Sequence, residues 1–374
     1  MIPASAPNRR RDVAAASAWL VAAVVVAQLG SRGCLALFNG PRDVAIAGTD
    51  AYERAAVTMP IPVIDFALTT SWPIIALAIG SIALVALFLS KATVPLAALL
   101  GSKLRAVLFC QLVGGLAIGA FAVTLNPDAY AYVIYGRLAG VHGVNPYACS
   151  HSLGPLGDSI LSQPLALWGK PPPRDIYGPL WTLGAAGLSR LFAGSSLAAQ
   201  FALERAVAVV ASAATIIALF RIFRLESATD GLRRANMAAF APLVLLETAL
   251  NGHNDMVMVA FGAWAFALAE IPVAAGLLLG ASIAVKYLSI IAAPFLIIRI
   301  LNARGKVAAL QATAAATIVL WLSFVPFWIG RNFFAPLLGG TGNIHYSVAA
   351  LIAAVLSLPT EYGHLAKLSH FGYN

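Results

Sequence analysis

Apolar runs of about 20 residues, the length that crosses a bilayer as a helix, recur along nearly the whole of this chain. That feature outweighs every other constraint. Of 374 residues, 60% are hydrophobic and 10% charged, too few polar groups to clothe a water-soluble fold. No stretch between the runs is long and polar enough for a separate soluble domain. The expectation is an all-α, polytopic integral membrane protein, with residues 1–374 forming a single membrane-embedded domain.

The chain carries 24 Lys and Arg against 15 Asp and Glu, a net charge of +9. A nucleic-acid surface would gather such an excess into one patch or stripe. Here the cations fall in short clusters between apolar runs: Arg9, Arg10, Arg11; Lys91, Lys103, Arg105; Arg221, Arg224, Arg233, Arg234; and Arg299, Arg304, Lys306. That is the distribution of cytoplasmic loops under the positive-inside rule. The basic start followed by Val13–Leu29 resembles a signal peptide, but no clean small-x-small cleavage pattern follows, and the segment reads as a retained first helix. Of the three cysteines, Cys110 falls inside a span. A Cys34–Cys149 disulfide competes with two free thiols, and no CxxC or Cys/His cluster suggests zinc.

With the first helix running outward, Ser31–Ser71 lies outside, Trp72–Ser90 returns, Lys91–Arg105 is cytoplasmic, and Ala106–Leu125 delivers Asp128 to the outer face. Asn126–Ile176 is too polar to span and too long for a turn, so it reads as an ordered functional loop with short helices. Its aromatic residues suit the membrane interface. The run Tyr177–Ala193 would export four arginines if it crossed, and is expected to dip in without crossing. Ala235–Leu250 then emerges outward, placing Asn251–Asp255 at the outer surface. In Ile271–Leu301 a straight span would strand the Lys286 ammonium at mid-bilayer, a cost of about 2.5–3.5 kcal/mol. Two short helices with Lys286 at their outer turn avoid it.

This topology gathers Asp128, Arg137, His253, Asp255 and Lys286 on one side of the membrane. Each alone has an ordinary explanation: a helix cap for Asp128, a headgroup anchor for Arg137, snorkelling for Lys286. Five converging groups favour a site. Glu247 lies two helical turns before Asp255 and shares its face if the helix continues. The His253 and Asp255 pair with Glu247 leaves a divalent metal conceivable but unspecified, and no cofactor is indicated. No Walker-type loop or dinucleotide fingerprint occurs, so neither ATP nor a soluble nucleotide sugar is suggested.

In their order, Asp128-x-Tyr130-x-Tyr132, Gly136, Gly143-x-Asn145-Pro146-Tyr147, Tyr177-Gly178-Pro179, His253-Asn254-Asp255 and Gly280 to Lys286-Tyr287 resemble the GT-C superfamily, in particular the bacterial polyprenyl-phosphomannose-dependent mannosyltransferases. The resemblance covers roughly residues 126–294 and implies a GT-C fold with outward catalytic loops and short or broken helices. It further implies transfer of a hexose, mannose above others, from a polyprenyl phosphate to an envelope glycan or glycolipid at the periplasmic face of the bacterial inner membrane.

Asp128 would be the catalytic base. An extra helix pair precedes its loop, so Asp43 or Asp50 in the first outer loop remains a fallback. Arg137, Lys286, Arg174 and Arg331 are candidates for the donor phosphate. Tyr132, Tyr147, Tyr177, Glu247, Asn251, His253, Asn254 and Asp255 are candidates for the sugar substrate. A phosphate leaving group needs charge stabilisation rather than a proton, so one base suffices for inversion through an oxocarbenium-like transition state. The alternative from another class is a transporter or flippase of lipid-linked sugars, since broken helices and intramembrane charge also serve transport.

Overall fold

The computed structural model describes residues 9–38, 72–121, 124, 126, 128–148, 156–165, 174–224, 227–330 and 333. Most of the described residues are helical, and six of the helices they form are long and apolar enough to cross a membrane. The protein is an all-α polytopic membrane protein. The long helices are α1 (Arg9–Phe38), α2 (Trp72–Leu100), α3 (Lys103–Phe121), α7 (Leu197–Phe223), α12 (Ala293–Arg304, entered through a 3₁₀ segment Tyr287–Ala292) and α13 (Lys306–Phe324).

Between them lie short elements: α4 (Asp128–Gly140), α5 (Ser159–Leu165), α6 (Pro179–Leu191), α8 (Ala228–Ala239), α9 (Pro242–Leu245), a π-helical turn Leu246–Leu250, α10 (Asp255–Ala267) and α11 (Pro272–Val285). At 1.5 Å per residue, α6 is about 20 Å long, short of the roughly 30 Å hydrocarbon layer. α6 alone is therefore shorter than that layer, and it is not among the six helices long and apolar enough to cross.

The three largest apolar clusters join most of the helices. One joins α1, α2 and α3 to α7, α8 and the π turn. A second joins α4, α6 and the start of α7, and the third packs α10 to α13. Lipid offers no hydrophobic drive between helices, so close approach of small residues does this work. On α11, a Cβ at Gly276 or Gly280 would strike the carbonyl of Ala312 or Ala316 on α13. On α4, Gly136 faces the Ala185 carbonyl of α6 in the same way.

The boundaries differ from expectation in three places. Helix α2 runs through Lys91 and Pro95 to Leu100, and the break comes at Gly101, whose φ of +63° suits a residue without Cβ. The expected outward helix Ala235–Leu250 is instead α8, a break before Pro242, α9 and the π turn. The Asn126–Ile176 segment holds α4, whose residues Ala129 to Leu138 are all buried. The tyrosines of α4 are therefore core residues and not interfacial anchors. Ser31–Ser71 beyond Phe38, the fallbacks Asp43 and Asp50, Cys149, Trp168, Arg331 and the segment 334–374 lie outside the described residues.

Candidate active site

Asp128 is the first residue of α4. Its backbone N–H donates to Asn126 Oδ1 at 2.8 Å, a side-chain cap that starts the helix just past the end of α3. The carboxylate stands where the helix N-terminus favours negative charge. One turn on, the Tyr132 hydroxyl accepts from the Asn254 backbone N–H at 3.3 Å. The Tyr132 ring meets the rings of Tyr177 and Trp181 edge-on at 4.9 Å each. The Tyr177 side chain also neighbours Asp128 and favours its charged form.

Tyr177 is placed from below. Asp175 accepts the Tyr177 N–H at 2.8 Å and the Thr182 hydroxyl at 2.7 Å, and the Tyr147 hydroxyl donates to the Tyr177 carbonyl at 2.8 Å. Burial pushes the Asp175 carboxyl up to about 7, against the bonds it accepts. Next along the chain, the Gly178 N–H donates to the Val285 carbonyl at 3.0 Å. A Cβ at Gly178 would collide with the Ala284 carbonyl. The Tyr-Gly-Pro motif thus docks on the last turn of α11, where the chain leaves the helix and Lys286 adopts an extended conformation (φ −152°, ψ 123°).

The fourth contribution comes from residues 246–255. The helix does not continue from Glu247 to Asp255. It widens into the π turn, bends at Gly252 with φ +70°, and restarts as α10 at Asp255. Gly252 needs both the positive φ and its missing Cβ, which would lie 2.9 Å from Arg205 Cγ. The bend folds His253 back, so its N–H donates to the Glu247 carbonyl at 2.8 Å and its Nδ1 lies 2.5 Å from Glu247 Oε2. His253 Nε2 lies 3.7 Å from Asp128 Oδ2. The carboxylates of Asp255 accept Lys286 Nζ at 2.8 and 2.7 Å.

The result is a cleft in which Asp128, Tyr132, Tyr177, Glu247, His253, Asp255 and Lys286 meet. Asp128 keeps 37% of its side chain exposed while His253 keeps 15%. Desolvation raises the Asp128 carboxyl, opposed by His253, the Tyr177 hydroxyl and Lys286 and reinforced by Asp255. Its open side limits that rise. Burial works to lower His253, but the bond to Glu247 and the charges of Asp128, Glu247 and Asp255 prevail and hold it above its ordinary value. Asn251 and Asn254 are buried beneath the cleft at 4% and 0% exposure. Among the described residues no group of three or more His, Cys, Asp or Glu side chains is arranged to hold a metal ion.

Arg137 and Tyr147 are elsewhere. Arg137 lies nine residues after Asp128 on one continuous helix, about 13 Å along its axis. It is 4% exposed and donates to Asp158 at 2.8 Å and to the Ala193 carbonyl at 3.1 Å. A shared side of the membrane does not imply a shared cleft. Tyr147 is 1% exposed and stacks on Phe333 at 4.3 Å, so it supports Tyr177 from behind. Arg174 is half-buried beside Asp175 in the chain.

Glu204 and Arg205, adjacent charges in the apolar run of α7 at 2% and 1% exposure, are not among the residues expected at the site. Arg205 donates to the Gly119 carbonyl at 2.6 Å, lies over the Phe201 ring at 4.6 Å and carries Gly252 on its flank. Two charges inside a span were the available signal.

Residues 29–302, more than half of the chain, match the model of a family described as alpha-(1->6)-mannopyranosyltransferase, N-terminal domain. Comparison with curated proteins finds no match. Comparison with solved structures finds none either.

Proposed function

The chain belongs to the alpha-(1->6)-mannopyranosyltransferase family, and from that premise we propose that it transfers mannose from a polyprenyl phosphate to a glycan or glycolipid, with inversion, using Asp128 as base. The observation that carries the reading is the Asp128 carboxylate, open to the cleft on one side while Tyr177, His253 and Lys286 surround it on the others. An acceptor hydroxyl reaching Asp128 would lose its proton there as its oxygen bonds the anomeric carbon. The bond from that carbon to the phosphate oxygen breaks with its electron pair staying on phosphate.

Lys286 is the cation best placed for that phosphate. Asp255 occupies two of its N–H groups and the ammonium has three. A charge-assisted bond from the third would strengthen as the leaving group gains charge. The positive clusters, including Arg299, Arg304 and Lys306 at the turn between α12 and α13, support an inner-membrane location with the cleft facing the periplasm. An α-(1→6) linkage follows from the family description alone.

The test is incubation of purified protein with polyprenyl-phosphate mannose, other polyprenyl-phosphate hexoses and a nucleotide-activated mannose, each with a mannoside acceptor, read by mass spectrometry. Product from the mannosyl lipid is expected, falling at least about 10²-fold in Asp128→Asn. Equal use of the nucleotide sugar would overturn the donor assignment. Movement of the lipid across vesicles without product would favour a flippase.

A further inference from the structure

Among the titratable groups of the cleft, His253 has one ring nitrogen bonded to a carboxylate and the other facing Asp128. Nδ1 lies 2.5 Å from Glu247 Oε2, so Nδ1 carries a proton directed at that carboxylate. The same residue also accepts the His253 main-chain N–H through its carbonyl, so the two residues are tied through both main chain and side chain. Nε2 is buried, has no hydrogen-bond partner among the described residues, and lies 3.7 Å from Asp128 Oδ2. It is the atom on which the second proton of the ring is gained or lost.

The charged groups around this ring come from several elements, and α7 adds Glu204 and Arg205 behind Gly252, the arginine donating to the Gly119 carbonyl. Asp128 stands at the start of α4, Glu247 on the π turn and Asp255 at the start of α10, 3.9 Å from Nδ1. Lys286, past the end of α11, is turned to Asp255. The hydroxyls of Tyr132 and Tyr177 lie against the Asp128 side of the cleft. Three carboxylates thus surround one imidazole, and the Lys286 ammonium is paired with the farthest of the three. That arrangement favours the imidazolium.

We propose that Glu247 and His253 are positioning residues for Asp128: Glu247 holds His253 as an imidazolium whose Nε2–H faces the Asp128 carboxylate, keeping that base ionised and aimed in a cleft that would otherwise neutralise it. The inference rests on Asp128 being the base of the transfer. In the step itself His253 keeps its proton throughout; the acceptor proton ends on Asp128 and leaves through the exposed side of that carboxyl. The π turn has a role in this arrangement, since a regular helix through residues 246–255 would separate Glu247 from His253. Such turns are frequent at functional sites.

The arrangement is tested by two measurements on the full chain. The first follows ¹³C-labelled histidine by NMR in lipid nanodiscs, with the His253 signal assigned by its loss in His253→Gln. His253 is expected to titrate above the ordinary histidine range, and Glu247→Gln to lower its midpoint by at least about one pH unit. The second is the pH dependence of mannosyl transfer from the polyprenyl-phosphate donor. Its acid limb should report Asp128 and its alkaline limb the loss of the His253 proton.

Glu247→Gln is expected to pull the alkaline limb to lower pH. His253→Gln should abolish that limb and move the acid limb upward, because Asp128 loses its cation. A uniform loss of rate with both limbs unmoved would reduce the two residues to scaffolding and overturn the proposal, as would a His253 titration indifferent to Glu247→Gln. If the titration responds as expected while the wild type transfers no mannose, the coupling stands and the activity reading has failed.

Discussion

Lys286 Nζ lies 2.8 and 2.7 Å from the two carboxylate oxygens of Asp255, although one residue follows the end of α11 and the other begins α10. The two helices form an apolar hairpin whose open end carries the pair. An ammonium in an apolar run is costly alone, and pairing with this carboxylate offsets that cost. Both side chains remain 35% exposed, so the pair is accessible from the cleft.

Lys286→Gln is expected to raise the apparent donor KM by roughly 10- to 100-fold, the range for loss of one charge-assisted contact. The acceptor KM should change little, and kcat should fall if the phosphate gains charge in the transition state. Kinetics with donor and acceptor varied separately decide this. A folded variant with unchanged donor parameters would leave Lys286 only its structural tie to Asp255.

Gly178→Ala is expected to lower the melting temperature and the activity together. Its Cβ has nowhere to go, because the Ala284 carbonyl and the Val285 backbone fill that space. A forced shift of well-packed backbone costs about 1–3 kcal/mol, and here it moves both Tyr177 and Lys286. Thermal unfolding in detergent with parallel assays measures both effects. Gly184→Ala on the same helix, where nothing lies within 4 Å of the added atom, is the neutral control.

Asp158 should make stability depend on acid. Although burial alone would raise it, bonds from Arg137, His142 and the Leu161 N–H hold its carboxyl at about 2. The folded-state value lies below the unfolded one, so the stabilisation is fully present above about pH 4 and is lost as pH falls towards 2. Its size is on the order of 2 kcal/mol. The stability gap between wild type and Asp158→Asn is expected to be constant at neutral pH and to close between pH 4 and 2. A gap unchanged at pH 2.5 would contradict the pairing.

The proposed orientation is checked with single cysteines in a background lacking Cys34, Cys110 and Cys149. Gln163→Cys, exposed on α5, should react with a membrane-impermeant thiol reagent in whole cells. Asn302→Cys, exposed near the turn between α12 and α13, should react only after the membrane is opened. The reverse pattern would place the cleft on the cytoplasmic side.

The sequence by itself determined the class of fold and several of its breaks. Apolar runs of span length leave few alternatives to helices in lipid, because each helix satisfies its own backbone. The energetic objection to Lys286 inside a straight span was local, and the chain does break at that residue. The charges after Phe220 likewise argued against α6 crossing. These conclusions need only length, hydropathy and the cost of one buried charge.

Which residues share the cleft was decided by tertiary structure. Arg137 and Asp128 are close in sequence yet stand near opposite ends of a buried helix, whereas Glu247 reaches His253 through a π turn and a glycine bend that no periodicity announces. Lys286 could be read as unpaired because its partner lies on a different helix. Arg205 needed the packing of α3, α7 and the Gly252 bend to become part of this neighbourhood. The physical reason is one of range: hydropathy and insertion cost act on a single segment, whereas a hydrogen bond is made or lost over tenths of an ångström. That distance is set only when helices from distant parts of the chain have packed.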